Sequence, residues 1–145
     1  MPKKYNKRAV ERLRRRMRED ADTPPMNRKN KPMSNLERMV ADMLDDLKIE
    51  WEREKPLKYM RGHFRYYDFH LIEHGVLIEV DGAYWHGERE DKKPSYVTMM
   101  AKKNDAVKAW LAKNNGYTLI RIKEKELTGD YNMVKENISR YAGKK

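Results

Sequence analysis

The chain has 145 residues, no cysteine and a formal net charge of +10, from 33 Lys and Arg against 23 Asp and Glu. This length suits one compact domain with a tail, and the charge favours a polyanionic partner such as nucleic acid. The lack of cysteine excludes disulfides and thiolate zinc sites, so a bound metal would need carboxylates, imidazoles and carbonyls, which suit Mg²⁺ or Mn²⁺.

The apolar segments are short. No run approaches the length of a membrane-spanning helix, and no apolar signal segment follows the first residues. We therefore expect a soluble intracellular protein, in the cytoplasm or with the nucleoid, that does not bind membranes.

The first predicted unit is a basic N-terminal arm, residues 1–33. Residues 1–31 hold twelve Lys and Arg and four acids, so the difference, 12 − 4, places +8 of the net charge there. Val10, Leu13 and Met17 recur at helical spacing, and Pro24-Pro25 would end a helix. Both a helix along a DNA backbone and a solvated, partly disordered tail are compatible with this pattern. The candidates for DNA contact are five arginines: Arg12, Arg14, Arg15, Arg16 and Arg18.

Residues 34–145 are predicted to form the second unit, a single domain. An amphipathic helix begins at Ser34 and runs to Leu47. Extended segments follow over residues 49–54, 64–72 and 76–81, and His74-Gly75 forms a hairpin turn between the last two.

The second half of this domain is predicted to contain two helices and a strand. A helix over residues 96–114 ends at Asn115-Gly116, and a strand over 117–122 and a helix over 134–141 follow. The element order predicts an α/β fold, with helices packed on the faces of a mixed sheet.

Three acids, Asp68, Glu79 and Asp81, lie within predicted strands, and Glu79 and Asp81 are predicted on the same face of theirs. Because side chains alternate along a strand, the apolar Tyr67 and Phe69 are predicted on one face and Asp68 on the other. A hairpin would bring Asp68 beside Glu79, and two like charges repel unless a cation lies between them. Mg²⁺ bound there could polarise a scissile phosphate and activate water. The alternative is that each carboxylate lies on the solvated face of an amphipathic strand.

Three segments together form a specific combination: residues 75–86 (GVLIEVDGAYWH), Lys103-Asn104-Asp105 and residues 116–122 (GYTLIRI). They resemble the PD-(D/E)XK nuclease fold, and within it the Vsr endonucleases and the homing endonucleases with an EDxHD motif. The resemblance covers roughly residues 35–127. It implies a restriction-endonuclease-like core and a Mg²⁺-dependent DNA endonuclease, with Mn²⁺ able to substitute.

The resemblance also implies roles for individual residues. The four motif positions fall on Glu37, Asp68, His86 and Asp105. Asp68 and Glu79 would bind the metal together with the backbone carbonyl of Val80, and Glu79 would count among the catalytic acids. His86 would act as general base or would orient the water, since an imidazole accepts a proton near neutral pH.

Tyr84 and Trp85 match aromatic residues that wedge into the base stack in the mismatch enzymes, a use that suits flat rings. Core packing is the simpler alternative for either ring. Glu37 could equally complete a capping box with Ser34, and Asp105 could form an ordinary surface ion pair.

The chain departs from the Vsr pattern. It cannot reproduce the thiolate zinc site of those enzymes, and Asp81 stands where they carry a histidine, so mismatch repair does not follow. The expected function is hydrolysis of double-stranded DNA by a homing-type or repair-type endonuclease. The alternative is a non-catalytic nucleic-acid-binding protein, which would have no need for clustered acids. A single small site cuts both strands only by acting twice or by dimerising, and we favour a homodimer.

Overall fold

A computed structural model describes residues 6–18, 31–82 and 96–143 of the protein. The elements in chain order are α1 (Lys7–Arg18), α2 (Asn35–Asp46), β1 (Trp51–Met60), β2 (His63–Leu71), β3 (Val76–Asp81), α3 (Tyr96–Asn114), β4 (Thr118–Lys123), α4 (Glu124–Gly129) and α5 (Tyr131–Tyr141). No helix in these ranges is both long enough and apolar enough to cross a membrane.

The four strands form one sheet in the order β1-β2-β3-β4. The β1–β2 and β2–β3 pairs are antiparallel, whereas β3 and β4 are parallel and are connected through α3. Gly75 takes the left-handed conformation in the β2–β3 turn, at φ 62°, which glycine adopts at little cost. The predicted mixed sheet with flanking helices is therefore confirmed.

Apolar side chains pack on both faces of this sheet. On one face, Ile78 belongs to the larger core cluster, which includes residues of α2, α4 and α5 such as Val40, Leu127 and Ile138. On the other face, its neighbour Leu77 packs with Leu111 and other residues of a smaller cluster against α3. Both faces of the sheet are thus covered. Polar side chains that point from the strands into either covered face are therefore buried.

Alternation along β2 breaks at Asp68. Tyr67 packs in the smaller cluster and Phe69 in the larger one, so the prediction that these two rings share a face is wrong. The break coincides with Glu54 of β1, which has a φ of 54°, and which lies between the pairs Arg53↔Phe69 and Lys55↔Tyr67, opposite Asp68. A left-handed residue interrupts the pleat of the paired strands. Side chains on the two sides of the interruption therefore no longer follow one alternation, and they point to opposite faces of the sheet.

The β1–β2 hairpin is longer than the sequence predicts. The sequence predicts an extended segment over residues 49–54, whereas β1 continues to Met60 and β2 begins at His63. Pro56 lies inside β1 and weakened the pattern, yet β1 is an edge of the described sheet, where proline is tolerated. Residues 7–18 form helix α1, whereas DNA contact by this segment stays a prediction.

Candidate active site

Three carboxylates from three elements converge at the break in the sheet. Glu37 of α2, Glu54 of β1 and Asp68 of β2 each contribute one oxygen, and these oxygens lie within 4.8 Å of one another. Glu54 is buried, and the other two are half-buried. We call this set the acid cluster. Three hard oxygen donors at this spacing are the donor set that Mg²⁺ or Mn²⁺ takes in proteins.

Glu37 has two structural roles besides its place in the acid cluster. Its backbone N–H donates to Ser34 Oγ at 3.2 Å, and Ser34 N–H donates to Glu37 Oε1 at 3.5 Å, which completes the predicted capping box. Its other oxygen lies 3.9 Å from NH2 of Arg53. The capping box therefore fixes the start of α2 with its carboxylate at the sheet, and the two roles considered for Glu37 are compatible.

Sequence reasoning missed Glu54. Its φ of 54° is unusual for a residue with a side chain, and such strain costs on the order of 1–3 kcal/mol. The strain places a buried carboxylate directly across from Asp68. No pattern in the sequence signals a left-handed residue at this point, because Glu54 looks like the polar end of a short strand.

Asp68 and Glu79 lie side by side, as the predicted hairpin required. The backbone N–H of Asp68 donates to Glu79 Oε1 at 3.1 Å, and the N–H of Val80 donates to Asp68 Oδ2 at 2.8 Å. Glu79 Oε2 accepts from Lys108 Nζ of α3 at 2.9 Å. Glu79 is thus tied to a lysine and to the backbone of Asp68, and it is not one of the three members of the acid cluster.

Burial and like charge shift the titration of this pair. The pKa of Asp68 is raised to about 7, first by burial and then by the neighbouring charge of Glu79, while the Val80 N–H opposes the rise. Burial also raises the pKa of Glu79, and Lys108 opposes that rise. Near neutral pH the pair therefore tends to keep a proton, which relieves the unfavourable negative charge, and a bound cation could take the place of that proton.

Lys108 is a second residue that the sequence analysis did not select. Its ammonium lies 5.3 Å from the centre of the Tyr67 ring, and the Tyr67 hydroxyl donates to the Lys108 carbonyl at 2.7 Å. These contacts attach α3 to β2 beside Asp68. A lysine on a helical face is ordinarily a solvated charge, so only the packing of α3 on the sheet reveals its role.

Asp105 pairs with an arginine of β4. Its Oδ1 lies 3.3 Å from NH1 of Arg121, and NH2 of Arg121 donates to the Asp105 carbonyl at 2.8 Å. The same NH1 lies 3.7 Å from Oδ2 of the buried Asp81. The ion pair expected for Asp105 as an alternative to catalysis is therefore present, although its partner is not one of the nearby lysines.

Several predicted site residues lie outside the described part of the chain: Tyr84, Trp85, His86 and the side chains of Arg14, Arg15, Arg16 and Arg18. Arg12 is exposed on α1, where its Nε donates to the Arg8 carbonyl at 3.4 Å. His70 of β2 contacts Glu52 Oε1 at 2.8 Å through Nδ1.

Comparison with solved structures finds a fold like that of "Homing Endonuclease I-Bth0305I Catalytic Domain". The two chains are 25% identical, the TM-score is 0.52, and the match covers 75% of this chain and 94% of the other. No family model matches the chain, and no curated protein matches it.

Proposed function

We propose that this protein is a metal-dependent DNA endonuclease, either homing-type or repair-type, that hydrolyses phosphodiester bonds in double-stranded DNA. The structural similarity to a homing endonuclease catalytic domain supports a function as a DNA endonuclease. The observation that carries the proposal is the acid cluster, because carboxylates from three separate elements converge within 4.8 Å beside the left-handed Glu54, and such close like charges favour a bound cation. The PD-(D/E)XK fold and the EDxHD homing group are the proposed classification.

The acid cluster would hold the metal. We assign the ligands to Asp68, Glu54 and Glu37, with Mg²⁺ as the physiological ion and Mn²⁺ as a substitute. The family resemblance implies that Glu79 and the backbone carbonyl of Val80 also bind the ion, and we keep both as proposed ligands. The ion would polarise the scissile phosphate and lower the pKa of water. Glu79, held by Lys108, would fix the backbone of Asp68 so that its carboxylate keeps its orientation.

The reaction is attack of a water oxygen on phosphorus with cleavage of one P–O bond. We propose that His86 accepts the proton of the attacking water. Asp105 would act indirectly, by holding the Arg121 side chain in position through their ion pair. Tyr84 and Trp85 would stack on bases at a deformed step. In this proposal residues 1–33 form a DNA-binding arm whose arginines contact phosphates, residues 34–145 form the endonuclease domain, and a homodimer would cut both strands.

A nicking assay on supercoiled plasmid tests the proposal. We expect the wild-type chain to convert plasmid to the nicked or linear form with Mg²⁺ or Mn²⁺ and to leave it intact in EDTA. Asp68→Ala should abolish cleavage and preserve or slightly improve DNA affinity, since it removes a ligand and a charge that repels phosphate. DNA binding by the wild-type chain without cleavage under any divalent metal would contradict the proposal.

A further inference from the structure

The outer end of the β1–β2 hairpin extends beyond the rest of the described sheet. We call residues 58–65 the distal hairpin. Strands β1 and β2 stay paired to Met60↔His63, whereas the β2–β3 ladder is limited to residues 69–71 of β2. The register shifts between Lys58 and Met60, an irregularity that increases the local twist of a ribbon.

The distal hairpin carries positive charge and exposed aromatic and apolar surface. Between Lys55 and Tyr67 the sequence contains no acid, and Lys58, Arg61 and Arg65 fall within the distal hairpin. Lys58 and Arg61 are exposed, as are Tyr59 (37%) and Met60 (51%). A strand end that only packed against the core would not need large exposed side chains together with several basic residues and no acid. This combination is typical of a surface that binds a polyanion.

Contacts at the base of the distal hairpin hold it in a defined direction. The guanidinium of Arg65 lies 5.0 Å from the centre of the Tyr59 ring, and its Nε donates to Asn104 Oδ1 of α3 at 2.8 Å. Lys102 and Lys103, next to Asn104 in the sequence, are exposed on the same helix. The hairpin is therefore attached to α3 at a point beside two further exposed cations in the sequence.

The distal hairpin also lies at a definite distance from the acid cluster, because both are built on the same two strands. Glu54 is four residues from Lys58 and seven from Arg61. At about 3.4 Å per residue, Lys58 lies about 14 Å along the strand from Glu54, and the end of β1 at Met60, next to Arg61, lies about 20 Å from it. A duplex rises about 3.4 Å per base pair along each strand, so the two cations would reach roughly four to six base pairs from a phosphate at the acid cluster.

We propose that the distal hairpin is a DNA-binding ribbon that contacts the duplex on one side of the cleavage position. A two-stranded β-ribbon fits the major groove, where Lys58 and Arg61 would contact phosphates and the Tyr59–Met60 segment would lie against the bases. The proposed ligand is duplex DNA. The distance between the ribbon and the cleavage position rests on the proposed function. The binding of DNA by the ribbon does not depend on that function.

The test is a salt titration of DNA binding in EDTA, which prevents metal-dependent cleavage. Full-length wild type, Lys58→Gln, Arg61→Gln and the double variant are titrated on a 25-base-pair duplex of arbitrary sequence. The matched control is Lys113→Gln, also exposed, because Lys113 lies near the end of α3 that leads into β4 beside Val76, at the opposite end of the sheet. Thermal melts of all variants verify that each one is folded.

We expect each hairpin substitution to lower the slope of log affinity against log salt by about 0.9, and the double variant by about twice that amount. Lys113→Gln should keep the wild-type slope. The inference would be overturned if the folded hairpin variants kept the wild-type slope, or if the wild-type chain did not bind the duplex. It would also be overturned if Lys113→Gln lowered the slope as much as the hairpin substitutions do. A chain that shows the expected slopes but cuts no plasmid would contradict the proposed function alone.

Discussion

Ionisation of Asp68 affects the stability of the folded chain. Its pKa is raised to about 7, first by burial and then by Glu79, whereas an aspartate in an unfolded chain titrates near 4. The folded chain therefore binds this proton more tightly than the unfolded chain does. Without metal, the free energy of unfolding should fall as the pH rises from about 4 to about 7, by about 1.4 kcal/mol for each unit of pKa difference that is realised.

Urea unfolding in EDTA between pH 4.5 and 8 measures this effect. Asp68→Asn should give a flatter profile than wild type, with the slope that remains due to Glu79, whose pKa is also raised. Above pH 7, Mn²⁺ should stabilise wild type more than Asp68→Asn, because the ion binds the ionised carboxylate. Parallel pH profiles for the two proteins would show that Asp68 does not carry the shift.

Glu54 offers a test that separates backbone strain from ligand chemistry. Glycine adopts a φ of 54° without the cost that a side chain imposes, so Glu54→Gly should be more stable than Glu54→Gln, by about 1 kcal/mol. Both variants lose the carboxylate and should lose the stabilisation that Mn²⁺ gives to wild type. Thermal unfolding with and without Mn²⁺ measures both effects. Undiminished stabilisation of Glu54→Gln by Mn²⁺ would remove Glu54 from the ligand set.

At the scale of elements, the Lys108–Glu79 pair connects α3 to β3. The two side chains are only 13% and 9% exposed, so removing the cation leaves a buried carboxylate without its partner. Lys108→Met should destabilise the fold by about 3 kcal/mol, and Glu79→Gln in the same chain should recover a large part of that loss. Urea unfolding of the two single variants and the double variant gives the coupling energy. A coupling energy near zero would mean that the pair does not hold α3 on the sheet.

The same elements show what the sequence could predict. Helix α2, strand β3 and strand β4 follow from apolar periodicity and caps, which are local, and the pairing of Asp68 with Glu79 follows from one short turn. The outer half of β1 was missed, since Pro56 is acceptable only because β1 lies at the edge of the described sheet. Glu54 and Lys108 were missed because their roles depend on contacts between elements, which a single sequence does not display.

For the whole molecule, the strongest prediction concerns the basic arm. Residues 1–31 hold +8 of the +10 net charge, yet only three regularly spaced apolar residues, so they cannot bury a core of their own. Deleting them should leave the unfolding midpoint nearly unchanged. DNA affinity should fall on any sequence, and the salt slope should fall by about 0.9 for each phosphate contact removed.

Salt titrations of intact and truncated protein on two unrelated duplexes measure this effect. Equal slopes for the two proteins would show that the arm does not contact DNA. A loss confined to one duplex would indicate that arginines of the arm read bases in the major groove.

The parallel pairing of β3 with β4 has a consequence for folding kinetics. Phe69 pairs with Ile78 across a tight turn, whereas Val76 pairs with Thr118, 42 positions later (118 − 76). Closing the longer connection costs more chain entropy before any contact compensates for it. We therefore expect the antiparallel strands to assemble early and β4 to dock late. Apolar truncations in β4 should then speed unfolding more than they slow folding, so that the lifetime of the native protein depends on the strand farthest from β1.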